Sequence, residues 1–379
     1  MSDIILPEAD RVDGAPHPRE THHLVGQTAA EAAFLEAFNS GRLHHAWMIT
    51  GPRGVGKATL AYRIARFLLT APPPGDNGLF GDPEPATTLD IDPDHPVARR
   101  IRAGSETGLF VLRRAVDEKD KRDPKLKTVI TVDEARKLKG FFAMSAADGG
   151  RRVVIIDAAD EMNVQTANAI LKLLEEPPEN AVLLLICHQP SRLLPTIRSR
   201  CRELRALPLA PDDMHAAITA TGVDLDVNEH HLATIADGSV GEAIRLLNMG
   251  GLETYQSIID LIGTAPDIDR PRTLKLGESV VGRANEPRFD LLLRLIDFFL
   301  SRTAQAGVKG PPASEAADGE APLLARLAPN PAAARDWAEL QQTLSARARH
   351  GKAVNLDPAS LILDMVLKID QTAQRFATR

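Results

Sequence analysis

Gly51-Pro-Arg-Gly54-Val-Gly56-Lys57-Ala58 follows the frame G-x-x-x-x-G-K-[ST] up to its last position. In such a loop, backbone N–H groups and a helix N-terminus cradle phosphates, and the lysine reaches the terminal ones. Gly51, Gly54, Gly56 and Lys57 keep that chemistry, but Ala58 stands where a hydroxyl would hold Mg²⁺. Thr59 comes one residue later, rotated by about 100° around a helix, and is a poor substitute. The spacing leaves room for weak ATP or ADP binding and argues against metal-assisted hydrolysis. Val153-Val-Ile-Ile-Asp157-Ala158 is an apolar strand ending in an acid. Asp157 could hold a metal-bound water, but alanine follows where a water-activating base is expected. Loss of a positioned base costs roughly 10²–10⁴ in rate. Taken alone, the same residues describe a core strand with a turn acid.

Two further groups invite chemistry. Arg200 lies in Ser199-Arg-Cys201, within a run that also holds Arg192, Arg198, Arg202 and Arg205. The run is either a solvated basic face or the setting for an arginine offered to a neighbouring subunit. His188 follows an apolar run, where a polar residue can sense phosphate, or where a histidine is simply solvated.

These residues need a scaffold that turns their strand ends to one side. Ala46–Thr50 reads as a short buried strand running into the glycine loop, and Ala58–Leu69 as a helix with Leu60, Ile64, Phe67 and Leu68 on one side. Val153–Ile156 and Ala181–Ile186 are continuous apolar runs, the mark of strands covered on both faces of a parallel sheet. Thr128–Val132 also reads as a strand. Helices are expected over Ala29–Phe38, Asp133–Phe142 and Asn163–Glu176, the last stopped by Pro177-Pro178. After Leu207-Pro208 strand patterns vanish. Asp212–Ala220, Glu229–Ala236 and Val240–Asn248 read as short helices, and the chain looks helical from 251 onward. Phe289, Leu292, Leu293, Ile296, Phe299 and Leu300 form a helical stripe there, and Asp357-Pro358 reads as an N-cap with proline at the first helical position. Residues 1 to about 20 suit a loose lead-in. The stretch 71–96, with seven prolines and five aspartates, suits a long surface loop, and 304–322 a disordered one.

The expected fold is therefore an α/β P-loop domain with a parallel sheet over 1–206, a small helical lid over 207–250, and an all-α domain over 251–379. A chain of 379 residues exceeds a comfortable single core, which fits several domains. Its 44% apolar and 25% charged residues are those of a globular protein, and a net charge of −6 argues against tight nucleic-acid binding by its own field. Only Cys187 and Cys201 are present, with no C-x-x-C pair, so no disulfide framework or cysteine zinc site is expected. No apolar run reaches about 18 residues and no basic-then-apolar leader occurs, so a cytoplasmic protein with no membrane partner is expected.

Several stretches together resemble the AAA+ clamp-loader subunits of bacterial DNA polymerase III, and within that family its delta-prime branch. They are Leu24-Val-Gly-Gln27, Arg42-Leu-His-His45-Ala-Trp47, the glycine loop, Thr131-Val-Asp-Glu-Ala-Arg136, Asn168-Ala-Ile-Leu-Lys-Leu-Leu-Glu-Glu-Pro-Pro178 and Leu193-Leu-Pro-Thr-Ile-Arg-Ser-Arg-Cys201. The resemblance covers about 20 to 250, and Asn355-Leu-Asp-Pro358 is similar to the start of the family's collar helix. It implies that 251–379 is an oligomerising collar and that Arg200 reaches across an interface to ATP bound next door. The family's motor members place a sensor arginine at Gly-Ser-x-Arg, but here Gly238-Ser-Val is followed by Gly241. Many delta-prime relatives also carry a cysteine-ligated zinc module after the P-loop helix, and 71–96 has no cysteine, so no zinc is expected.

Ala58, Ala158 and Gly241 are losses on the hydrolysing side, while Arg200 is a retention on the donating side. The resemblance thus implies a non-hydrolysing stator with no required cofactor. Its implied partners are tau/gamma and delta subunits, the sliding clamp and, through the complex, primer-template DNA. An active clamp-loader ATPase using Lys57 and Asp157 is the alternative. A free-standing DNA-binding module lacks both a basic domain and an aromatic stacking platform.

Overall fold

The computed structural model describes residues 7–72, 85–117, 124–143, 150–223, 225 and 227–377. The chain divides into two compact units, Met1–Asp224 with Gly238–Ile244, and Leu225–Asp237 with Arg245–Arg379.

The first unit is built on α1 (Thr28–Asn39), β1 (Ala46–Thr50), α2 (Lys57–Thr70), α3 (Pro96–Arg102), β2 (Leu109–Arg113), β3 (Val116–Asp117), β4 (Lys125–Leu126), α4 (Val132–Ala143), β5 (Arg152–Asp157), α5 (Val164–Glu175), β6 (Ala181–Cys187), α6 (Pro195–Arg198), β7 (Arg202–Arg205) and α7 (Pro211–Ala220). Five strands form one sheet in the order β2-β5-β6-β1-β7, and every pair is parallel. Alternation sends Trp47, Ile49, Val153, Ile155, Leu184 and Ile186 into a core with α1 and α2. Ala46, Met48, Val154, Ile156, Leu183 and Leu185 face the opposite way, into a core with α4 and α5. Burial on both faces is why these strands read as unbroken apolar runs. The register pairs Arg113 with Asp157 and Thr50 with Cys187, so the ends of these strands open on one edge of the sheet.

Several local expectations change. α2 is buried nearly all round, including Tyr62, Arg63 and Arg66, because it lies under both the N-terminal segment and the sheet. That segment is no loose lead-in over its described part. The side chains of Asp10 and His17 are fully buried, 3.2 Å apart, and Arg113 holds both Glu8 and Asp10. Thr128–Val132 is not a strand: Ile130 makes a single bridge to Met162, and α4 begins at Val132. The bridge consists of the Ile130 amide donating to the Glu161 carbonyl and the Asn163 amide donating to the Ile130 carbonyl, which also accepts from the Thr166 hydroxyl. The sequence marks no element over 97–127, yet β2 forms the sheet edge and α3 starts from His95, whose ring accepts from the Val97 amide at 3.2 Å. Of the proline-rich stretch 71–96, residues 73–84 lie outside the described residues, and Leu89 is buried in the core.

The second unit is helical: α8 (Glu229–Ala236), the later part of α9 (Val240–Asn248), α10 (Gly251–Gly263), α11 (Arg270–Glu278), α12 (Glu286–Lys309), α13 (Glu320–Leu327), α14 (Pro331–Ala353) and α15 (Pro358–Ala377). Phe289, Leu292, Ile296, Phe299 and Leu300 are buried as the stripe predicts, with Leu291 and Leu295 beside them and Leu293 only half-buried. Asp357 caps α15 by accepting the Ser360 amide at 2.9 Å. The region 304–322 is ordered. α12 runs through Lys309, and the wholly buried Glu320 accepts from the Tyr255 hydroxyl at 2.6 Å and from Arg302 at 2.7 and 2.8 Å. A small-residue composition hid this buried acid.

Candidate functional site

The glycine loop follows β1 and passes straight into α2. Gly51, Gly54 and Gly56 have φ of 140°, 77° and 95°, which a side chain rarely tolerates. Each is also closely approached. A Cβ would stand 2.2 Å from the Ala206 carbonyl oxygen at Gly51, 2.3 Å from the Ser239 hydroxyl at Gly54, and 2.7 Å from Leu24 at Gly56. Every carbonyl from Gly51 to Val55 is engaged within the chain. The Lys57 ammonium donates to Gly51 at 2.7 Å and to Pro52, the Ser239 hydroxyl to Arg53 at 2.8 Å, the Gly241 amide to Gly54 at 3.0 Å, and the Gln27 side chain to Val55 at 3.0 Å. A P-loop uses its amides on phosphate, and these bonds leave the amides aside but occupy the Lys57 ammonium.

Gln27, noticed in the sequence only as part of a resemblance, is a structural fastener. It is buried and also bridges the Leu207 carbonyl at 2.8 Å and amide at 3.1 Å. Ser239, through its hydroxyl, and Gly241, through its amide, hold the loop backbone directly.

Lys57 and Asp157 share one buried environment. Burial pulls the Lys57 amine down to about 8, against the opposing pull of Asp157. Burial pushes the Asp157 carboxyl up to about 7, and the charges of Asp10 and Glu161 push the same way. Ala158, the residue directly after Asp157, is buried and offers no base. Beyond it, Asp160 accepts the His188 amide at 2.9 Å and the Gln189 amide at 3.2 Å. Glu161 pairs with Arg53 of the loop at 2.6 Å and with Arg114 at 2.8 Å. Sequence reading passed over both acids. Their signal was the acidic pair two and three residues after Ala158.

Arg200 belongs to a different place. It follows α6, where its guanidinium donates to the Thr196 carbonyl at 3.0 Å and pairs with Glu175 at 3.0 Å. Neither partner belongs to the glycine loop, and the side chain is 37% exposed. Its neighbour Cys201 has its thiol pushed up to about 12 by burial, which makes it packing and not a nucleophile. Among the described residues, no group of three or more His, Cys, Asp or Glu side chains is placed to hold a metal ion.

A parallel sheet in this order, a glycine loop after the strand next to its edge, an acid ending β5 and helices after β7 define a P-loop domain of the AAA+ kind, followed by a helix-rich region. What the chain resembles in particular is the delta-prime subunit of the DNA polymerase III clamp loader. Residues 26–210 match the family model described as DNA polymerase III, delta subunit. The delta' subunit of DNA polymerase III from Pseudomonas aeruginosa is 36% identical over 217 residues, 57% of this chain and 60% of that protein. The tau subunit from Escherichia coli is 28% identical over 298 residues, 73% of this chain and 40% of that protein. The chain thus spans 60% and 40% of the lengths of these curated relatives. A solved gamma subunit-related protein from Thermotoga maritima superposes with a TM-score of 0.41 at 15% identity, covering 90% of this chain and 99% of its own. No helix among the described residues is long and apolar enough to cross a membrane.

Proposed function

We propose that this protein is the non-hydrolysing stator of a cytoplasmic DNA polymerase III clamp loader. In this reading the helices of 207–250 are its lid and 251–379 its collar. It assembles with tau/gamma and delta subunits and supports loading of the sliding clamp on primed DNA. Its chemical contribution is Arg200, supplied in trans to ATP held by a neighbouring ATPase subunit. The observation that carries the reading is the asymmetry between the two candidate sites. At the glycine loop Lys57 is spent on the loop's own carbonyls, Ala58 offers no metal ligand and Ala158 no base. Arg200, in contrast, stands apart from that loop on a partly exposed turn.

An arginine delivered in trans is worth about 10³–10⁵ in turnover at the site it serves. The test is to assemble the complex with its tau/gamma and delta subunits and compare the wild type with Arg200→Ala and Lys57→Ala. Arg200→Ala should assemble normally, silence one ATP site and lower clamp loading, while Lys57→Ala has a much smaller effect. Equal behaviour of the two variants, or unchanged turnover with Arg200→Ala, would overturn the stator reading.

A further inference from the structure

The Leu-Glu-Glu-Pro-Pro stretch ending α5 has no task in the reading above, yet the fold brings it to Arg200. We infer that Glu175 is the positioning residue for Arg200: it holds the guanidinium at the angle from which it enters a neighbour's phosphate site. This rests on the reading of Arg200 as an arginine supplied in trans.

Glu175 is the last residue of α5, and Pro177-Pro178 prevents the helix from continuing. A carboxylate in the final turn opposes the helix dipole and is unfavourable there unless a cation answers it. The cation that answers it is Arg200, with Glu175 Oε1 3.0 Å from one terminal guanidinium nitrogen. The other terminal nitrogen donates to the Thr196 carbonyl at 3.0 Å. Anchors from two elements, the end of α5 and the turn of α6, therefore fix a side chain that would otherwise sweep through many rotamers. Of the five N–H groups on a guanidinium, these two bonds leave the rest for an incoming phosphate.

The pair is poorly suited to a stabilising role. Its side chains are 45% and 37% exposed, and ion pairs at such positions add little to folding. What a fixed guanidinium does provide is orientation before the reaction, where a misplacement near 1 Å can cost about a hundredfold in rate. An exposed tether can also yield to a phosphate, which offers more negative charge than one carboxylate.

Two measurements separate the tether from the trans role. In the isolated chain, the Arg200 side-chain N–H resonance, assigned by its loss in Arg200→Ala, should be distinct in the wild type. It should collapse toward the solvent-exposed arginines in Glu175→Ala and be largely kept in Glu175→Gln, which retains an acceptor oxygen. In the assembled clamp loader, Glu175→Ala should lower kcat of the served site by about tenfold with KM unchanged, and Glu175→Gln should recover part of it. Glu175→Ala should add nothing on top of Arg200→Ala. An unmoved resonance in Glu175→Ala overturns the tether, and an additive double variant shows that Glu175 acts through helix stability instead. If the resonance collapses but Arg200→Ala leaves turnover intact, the tether exists and the trans role, with this proposal, is wrong.

Discussion

The Gly241 amide donates to the Gly54 carbonyl at 3.0 Å, and a Cβ on Gly241 would stand 2.9 Å from the Gly54 Cα. Gly241 is thus packed against the glycine loop itself. Gly241→Arg should therefore not add a usable cation to the loop. It should force the two backbones apart and destabilise the protein by about 1–3 kcal/mol, as overpacking of a close contact does. Chemical denaturation and nucleotide titration of this variant check both points. A stable variant that gains ATP affinity would show that the contact is loose.

Lys57 leads to a related expectation. Its ammonium satisfies the Gly51 and Pro52 carbonyls, so Lys57→Ala leaves them without that donor and should cost about 1–3 kcal/mol in stability. Nucleotide binding to the wild type should be weak and nearly independent of Mg²⁺, because Ala58 supplies no metal ligand. Calorimetry with and without Mg²⁺ measures this, and tight, metal-dependent binding would contradict it.

The parts of the fold that repeat are the parts the sequence announces. β1, β5 and β6 are covered on both faces and read as apolar runs, and Asp357 caps the helix it precedes. β2 was missed because it is an edge strand with four of its five residues only half-buried. The glycine loop was legible because its phosphate chemistry depends on local spacing. The roles of Gln27, Ser239 and Glu175 were not, since each acts on a residue at least 25 positions away, and no local pattern records such a pairing.

Glu320 is the sharpest case of a residue concealed by its surroundings. It is wholly buried in the second unit, where Tyr255, Arg302 and the Ala316 amide at 2.6 Å all donate to it. Glu320→Ala would leave the Arg302 guanidinium, which is 17% exposed, with the Ser314 carbonyl but no carboxylate, and should destabilise this unit by about 3 kcal/mol. Glu320→Gln, keeping an acceptor, should cost less. Thermal unfolding followed by circular dichroism checks the order. Equal stability of wild type and Glu320→Ala would show that the cluster contributes nothing.

Asp157 and Asp10 give the protein two opposed pH dependences that substitution can separate. Burial pushes Asp157 up from 3.8 to about 7, reinforced by Asp10 and Glu161. A carboxyl raised in the folded state favours folding at low pH, and this contribution is lost as pH rises toward 7. Asp157→Asn should therefore match the wild type near pH 4 and exceed it by about 1–4 kcal/mol at pH 8. Asp10 behaves in the opposite sense. Its burial raises the carboxyl, but the hydrogen bond from His17 and the Arg113 charge outweigh that and bring it to about 2. A carboxyl lowered in the folded state contributes stability above its unfolded value of 3.8, and loses it as pH falls toward 2. Asp10→Asn should thus be less stable than the wild type at neutral pH, and the difference should shrink below pH 4. Denaturant titrations of both variants from pH 3 to pH 8 would read the two slopes. Parallel curves for wild type and Asp157→Asn would mean that the acid ending β5 is already solvated, and that its environment differs from the buried one beside Lys57.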